Sequence, residues 1–168
     1  MTALRLARVL PAPPERVWRA FTDPEALAAW FWPARFATTA RVDARPGGAL
    51  RISAEAGGMA VSGTFRTVEP PRRLVFTWRW DGDDEETLVT VELAEIDGGT
   101  ALTLTHEGFA EGTVRDDHRT GWSDCLDRLP GWLKPEGADV RAGNERGGGD
   151  QESPEFHYGP DRRDIDHR

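Results

Sequence analysis

The sequence predicts an α+β domain, with a strongly curved antiparallel sheet of six to seven strands, a long C-terminal helix across one face and two short helices after the first strand. Three observations carry this prediction. Six consecutive runs alternate apolar and polar residues with a period of two, most gaps between them are short and made of turn residues, and the last apolar stretch switches to helical spacing. Short turns between successive strands make hairpins, so the sheet is antiparallel. Strands followed by a helix then lay that helix on one sheet face.

The elements follow in order. Residues 4–10 read as a strand, which Pro11, Pro13 and Pro14 break while fixing φ for a helix start. Val17, Ala20 and Phe21 recur at helical spacing and carry that helix to Thr22. Asp23-Pro24 is a second start, a capping carboxylate followed by proline at the first helical position. Leu27, Trp30 and Phe31 form its apolar face, and Pro33 ends it. Strands are expected over residues 36–42, 49–54, 59–68, 74–80, 88–94 and 101–106, separated by turns such as Pro46-Gly47-Gly48, Asp81-Gly82-Asp83-Asp84 and Asp97-Gly98-Gly99. The last helix begins near Thr113, with Val114, His118, Trp122, Cys125, Leu126 and Leu129 on one stripe. Pro130 is expected to kink or stop it, because it removes a hydrogen bond and crowds the carbonyl of Leu126, with Trp132 and Leu133 continuing past a kink.

Composition limits the function. The net charge of -8 argues against nucleic acid and against an anionic membrane surface as partners. One cysteine allows no internal disulfide, no signal peptide is read at the N-terminus, and no apolar run approaches the ~20 residues that span a bilayer. A cytoplasmic location is the resulting expectation. After Leu133 the composition turns to Gly, Asp, Glu and Arg without apolar periodicity. We therefore expect one domain over residues 1–135 and a disordered, acidic, Gly-rich tail over residues 136–168.

Alternation assigns the faces. Phe76, Trp78 and Trp80 share one side of their strand; Val61 and Phe65, Val89 and Val91, and Leu104 and His106 do the same on theirs, opposite Thr, Arg and Glu. One face of the sheet is thus apolar and aromatic and the other polar. One long helix covers less than a twisted sheet of this size offers. The tryptophans at 30, 32, 78, 80 and 122 therefore either close the gap or line a pocket.

The run PPERVWRAFTDPEALAAWFWP, then RPGGALRI, VEPPRRLVFTWRW, GGTALTLTHEGF and HRTGWSDCLDRL, resembles the bacterial Hsp90 ATPase activator homologue family of the START/Bet v 1-like superfamily, in the right order from about Leu4 to Leu133. The resemblance implies the helix-grip fold, with a cavity between the sheet and the C-terminal helix. It also implies a choice among ligand carrier, cyclase-type enzyme and co-chaperone-like regulator with a chaperone partner, since this superfamily hosts all three. The second helix ends in Trp30-Phe31-Trp32-Pro33 where the family commonly ends in a WWGP-like motif, so Trp32 is expected to narrow the cavity mouth.

The leading expectation is a binder of a small hydrophobic or aromatic molecule, and the enzyme alternative is a cyclase- or hydrolase-type activity in the same cavity. Its cavity lining is expected to be Trp30, Trp32, Val61, Phe65, Phe76, Trp78, Val89, Val91, Leu104, His106, Trp122 and Leu126. His106 is a weak candidate acid/base, because its neighbour Glu107 faces away and no other partner is placed by spacing; a histidine satisfied by backbone or an indole N–H is the favoured reading. His118, beside Asp116 and Asp117, reads as part of a helix start whose acids complement the dipole. Cys125 reads as a small buried hydrophobe. No HExxH or Cys/His cluster points to a metal, and the Gly-Gly pairs at 47, 57 and 98 precede or divide strands, so they give no phosphate cradle and no cofactor is expected.

Overall fold

Two proline-led starts and six alternating runs become eleven elements. A computed structural model describes residues 1–134, which form β1 (Thr2–Leu10), α1 (Pro14–Thr22), α2 (Pro24–Trp30), a 3-10 turn (Ala34–Phe36), β2 (Thr38–Val42), β3 (Ala49–Ala54), β4 (Met59–Glu69), β5 (Arg73–Trp80), β6 (Thr87–Ile96), β7 (Gly99–Phe109) and α3 (Gly112–Leu133). The expected tail lies outside the described residues, and so does residue 135.

The seven strands form one antiparallel sheet in the order β1-β7-β6-β5-β4-β3-β2. β2 to β7 are a meander, and β1 adds beside β7. Because β1 and β2 are the two edges, α1 and α2 must carry the chain from one edge to the other. α2 starts as expected, with Asp23 accepting the Glu25 N–H at 3.2 Å and Pro24 in its first turn. α1 packs against β6 and β7, α2 against β2, and α3 against β1, β7 and α2. Arg8 donates to Ser123 Oγ at 3.0 Å and Arg115 to Thr2 Oγ1, which fastens α3 along the β1 edge.

The inward rows meet as alternation requires. Phe65 pairs with Phe76, Val91 with Leu104, and Val89 and Leu4 each with His106. Together with Val17, Trp30, Trp78, Trp122 and Leu126 they make one buried core. Each large side chain so buried contributes roughly 2–3 kcal/mol of transfer free energy.

Two details differ from the sequence expectation, and in a third Pro130 does not stop the helix. Phe36 lies in the 3-10 turn and β2 starts two residues later, because Ala37 adopts a left-handed φ of 54° that interrupts extension. α3 includes Pro130 and runs to Leu133, whose burial anchors the last turn, and Arg16 lies 5.3 Å over the Trp132 ring. The outer face is also less open than alternation implied. Val75 and Thr77 are buried there, Thr77 because β4 closes over it at Gly63, where a Cβ would stand 1.9 Å from the Thr77 carbonyl oxygen. The Thr64 N–H then donates to Thr77 Oγ1 at 2.8 Å.

Candidate functional site

The concave face carries a continuous aromatic layer. β5 presents Phe76, Trp78 and Trp80, β4 adds Phe65, α3 adds Trp122, and the end of α2 brings in Phe31 and Trp32. Phe31 sits at the centre, with ring centroids 5.2 Å from Trp32, 5.5 Å from Trp122, 5.6 Å from Trp30 and 6.3 Å from Trp78. Trp32 stacks on Trp80 at 6.2 Å and 18°, and Trp78 lies 5.1 Å from Trp122. Edge-on and offset pairs of this kind add about 0.5–1.5 kcal/mol each beyond burial.

The Phe31-Trp32 segment is clamped from α3. Arg128 donates from Nε to the Trp30 carbonyl at 3.1 Å and from Nη2 to the Phe31 carbonyl at 2.7 Å, while its Nη1 meets Asp124 at 2.7 Å. These carbonyls belong to the last turn of α2, where a helix leaves acceptors unmet.

A polar string runs beneath the indoles. Trp122 Nε1–H donates to His106 Nδ1 at 3.0 Å, and His106 Nε2 lies 2.6 Å from Thr87 Oγ1, whose hydroxyl donates to the Trp78 carbonyl at 3.2 Å. Trp80 Nε1–H donates to His118 Nε2 at 2.9 Å, with His118 Nδ1 2.9 Å from the Val114 carbonyl. An indole N–H is only a donor, so the nitrogen that accepts it is unprotonated. Both histidines are therefore neutral in this arrangement, His106 with its proton on Nε2 and His118 on Nδ1. Burial holds the His106 pKa well below 6.5, and the neighbouring His118 lowers it further. Both His106 nitrogens are spent on protein partners.

Among the indoles Trp30, Trp78, Trp80 and Trp122, three donate to protein acceptors, Trp30 to the Ala20 carbonyl at 2.9 Å. Trp78 does not, and its Nε1–H is buried without an acceptor.

The tryptophans close the gap that the sequence left open. Among the described residues two voids of about 10 Å³ each lie within this layer, room for about one water apiece. One lies among Trp32, Trp78, Trp80, Trp122, His118 and Cys125; the other lies deeper, bounded by Leu27, Ile52, Phe65, Phe76 and Trp78 among others. Phe31 borders both. A larger groove, about 440 Å³, passes the outward-facing Arg66, Thr77 and Glu107 and is open to solvent.

All twelve residues expected to line a cavity are buried. Trp32, Phe65, Phe76, Trp78 and Trp122 border a void. Trp30, Val61, Val89, Val91, Leu104, His106 and Leu126 are buried but border neither. Phe31 and His118 are among the additions that sequence reasoning did not assign to the site, although His118 lies one helical turn before Trp122; Trp80, one of the indoles expected to close or line the gap, also borders a void. α3 begins at Gly112, so Asp116 and Asp117 fall beyond its first turn, and His118 is a buried acceptor. The Cys125 thiol is buried and its pKa is pushed up to about 12 by that burial. Among the described residues, no group of three or more His, Cys, Asp or Glu side chains could hold a metal ion, and no helix is long and apolar enough to cross a membrane.

A curved antiparallel sheet gripping a long C-terminal helix over an aromatic interior defines a helix-grip domain. The chain belongs to the family described as Activator of Hsp90 ATPase homolog 1-like protein, whose model matches residues 11–134. Among solved structures it is similar to protein CV1439 from Chromobacterium violaceum, with 36% identity and a TM-score of 0.71 over 79% of this chain and 97% of that one. It is also similar to CalU16 from Micromonospora echinospora, with 30% identity and a TM-score of 0.62 over 86% and 83%. The fold is further shared with PFC0360w, an HSP90 activator from Plasmodium falciparum, at 24% identity and a TM-score of 0.64 over 77% and 94%. A comparison with the curated proteins finds no match.

Proposed function

We propose that this chain is a binding module that takes a small hydrophobic or aromatic molecule between the sheet and α3 and does no chemistry on it. The observation that carries the reading is the position of Phe31. Its ring borders both voids, as do those of Trp78 and Trp122, but Phe31 sits at the C-cap of α2, with Trp32 just beyond the helix, while the other two stand on a strand and on α3. Moving the Phe31 ring would add its volume to the space beside both voids, against Trp78 and Trp122. Catalysis finds little support, since His106 has no nitrogen to offer and the Cys125 thiol stays protonated at neutral pH.

Titrating the full chain with fatty acids, steroids and fused-ring aromatics while following tryptophan emission tests this reading. Saturable quenching or a blue shift supports it. No response to any of the three classes removes it.

The family description favours a second reading, a partner-binding regulator of a chaperone ATPase. Stimulation of purified Hsp90 ATPase by the chain would support that reading, and no stimulation at saturating chain would exclude it.

A further inference from the structure

We propose that the interior selects a flat, neutral molecule bearing one hydrogen-bond acceptor, which takes the place of the Phe31 ring and receives the Trp78 Nε1–H. This deepens the binding-module reading and rests on it.

Hydrogen-bond accounting points to Trp78. A buried N–H without an acceptor gives up its bond to water and gains nothing in return, so native interiors rarely leave one. Here the indoles of Trp30, Trp80 and Trp122 all have acceptors, and Trp78, 3% exposed, has none. The nearby polar groups cannot supply one. His106 and His118 each already accept an indole N–H, and the Thr87 hydroxyl donates to the carbonyl of Trp78 itself. A water is poorly served too, since a buried water needs two to four polar partners and the walls of both voids are almost wholly aromatic or aliphatic.

Shape supplies the second argument. Trp78 borders both voids, and its ring lies 6.3 Å from that of Phe31, beside the space that ring would vacate. The walls are rings set edge-on or tilted, Trp122 at 44° to Trp78 and Phe76 also at 44°. Such walls accept a flat guest in place of a flat phenyl. A charged guest is excluded, because no ionised side chain borders either void to pair with it.

Quinoline and naphthalene differ by one ring acceptor and nearly nothing in shape, so they isolate the Trp78 contact. Their affinities for the full chain and for Trp78→Phe are to be measured by calorimetry at pH 7.5. The proposal expects the substitution to weaken quinoline about tenfold, the worth of one buried hydrogen bond, and to change naphthalene less than twofold. Equal losses for the two probes would overturn it. Should Trp78→Phe fail to fold, the indole 15N–1H resonances of the unmodified chain give the same answer. Quinoline should move the Trp78 Nε1–H signal downfield and naphthalene should not, and an unmoved signal with bound quinoline would overturn the proposal. Failure of both probes to bind while fatty acids or steroids still bind would sink only the inference, and failure of all three classes would overturn the binding-module reading as well. Naphthalene binding without any quinoline advantage through Trp78 would leave that reading standing and sink only the inference.

Discussion

Replacing Phe31 by alanine should turn a closed interior into a standing cavity. Phe31 is 3% exposed and touches four aromatic rings, so the substitution removes both burial and edge-on contacts. Phenylalanine-to-alanine changes in packed cores cost about 3–5 kcal/mol, and a residue at the end of a helix relaxes more easily, which points to about 3 kcal/mol here. For a domain of this size that lowers Tm by roughly 10 °C. The vacated ring would leave an apolar cavity beside the two voids it borders, and dry cavities of ~150 Å³ are known to hold benzene. Benzene at ten times its Kd would return about 1.4 kcal/mol to the variant, or roughly 5 °C. The unsubstituted chain must first displace Phe31, so its Tm should rise by less than half as much. Differential scanning calorimetry with and without benzene reads both shifts. If benzene raises the two melting temperatures equally, or the variant's not at all, Phe31 is not what fills the site.

Three further outcomes follow from the same geometry. His106 is neutral and its folded pKa is depressed, so below about pH 6.5 the unfolded chain binds a proton that the native chain refuses. Stability is therefore full above that pH and declines as pH falls toward the folded pKa, by up to about 1.4 kcal/mol per pH unit. Urea midpoints at pH 8 and 5.5 check this, and in His106→Gln the decline should be shallower. Arg128→Ala removes the two donors on the Trp30 and Phe31 carbonyls, at a cost of about 2–4 kcal/mol. It should speed hydrogen exchange at the Phe31 amide, which bonds to Leu27 at 3.1 Å; unchanged exchange there would mean that the clamp does not hold the segment. Cys125, with its thiol pKa raised to about 12, should react with a disulfide reagent only as fast as the chain opens, so labelling in native buffer that matches a free thiol would contradict its burial.

The fold was legible because its signals are local. Proline and Asp23 mark the helix starts, and parity along each strand places Phe76, Trp78, Val89, Val91 and Leu104 on the same side without reference to any partner. The site was legible only in its walls. Phe109 follows Glu107 in parity and so reads as outward, yet Gly108 at φ 98° opposes a register shift in β1 and turns Phe109 inward, 4.4 Å from His106. The Trp80–His118 bond joins residues 38 apart, which no spacing rule anticipates. Whether indoles fill a space or line it depends on rotamers and on the path of the segment after α2. Parity fixes neither, so the two void volumes could come only from the structure.

A crystal structure of the full chain grown with quinoline tests the central claim most directly. The account predicts the Phe31 ring swung out of its seat and the quinoline nitrogen within about 2.7–3.2 Å of Trp78 Nε1. Quinoline found only on the outer surface, with Phe31 still packed against Trp78 and Trp122, would contradict it.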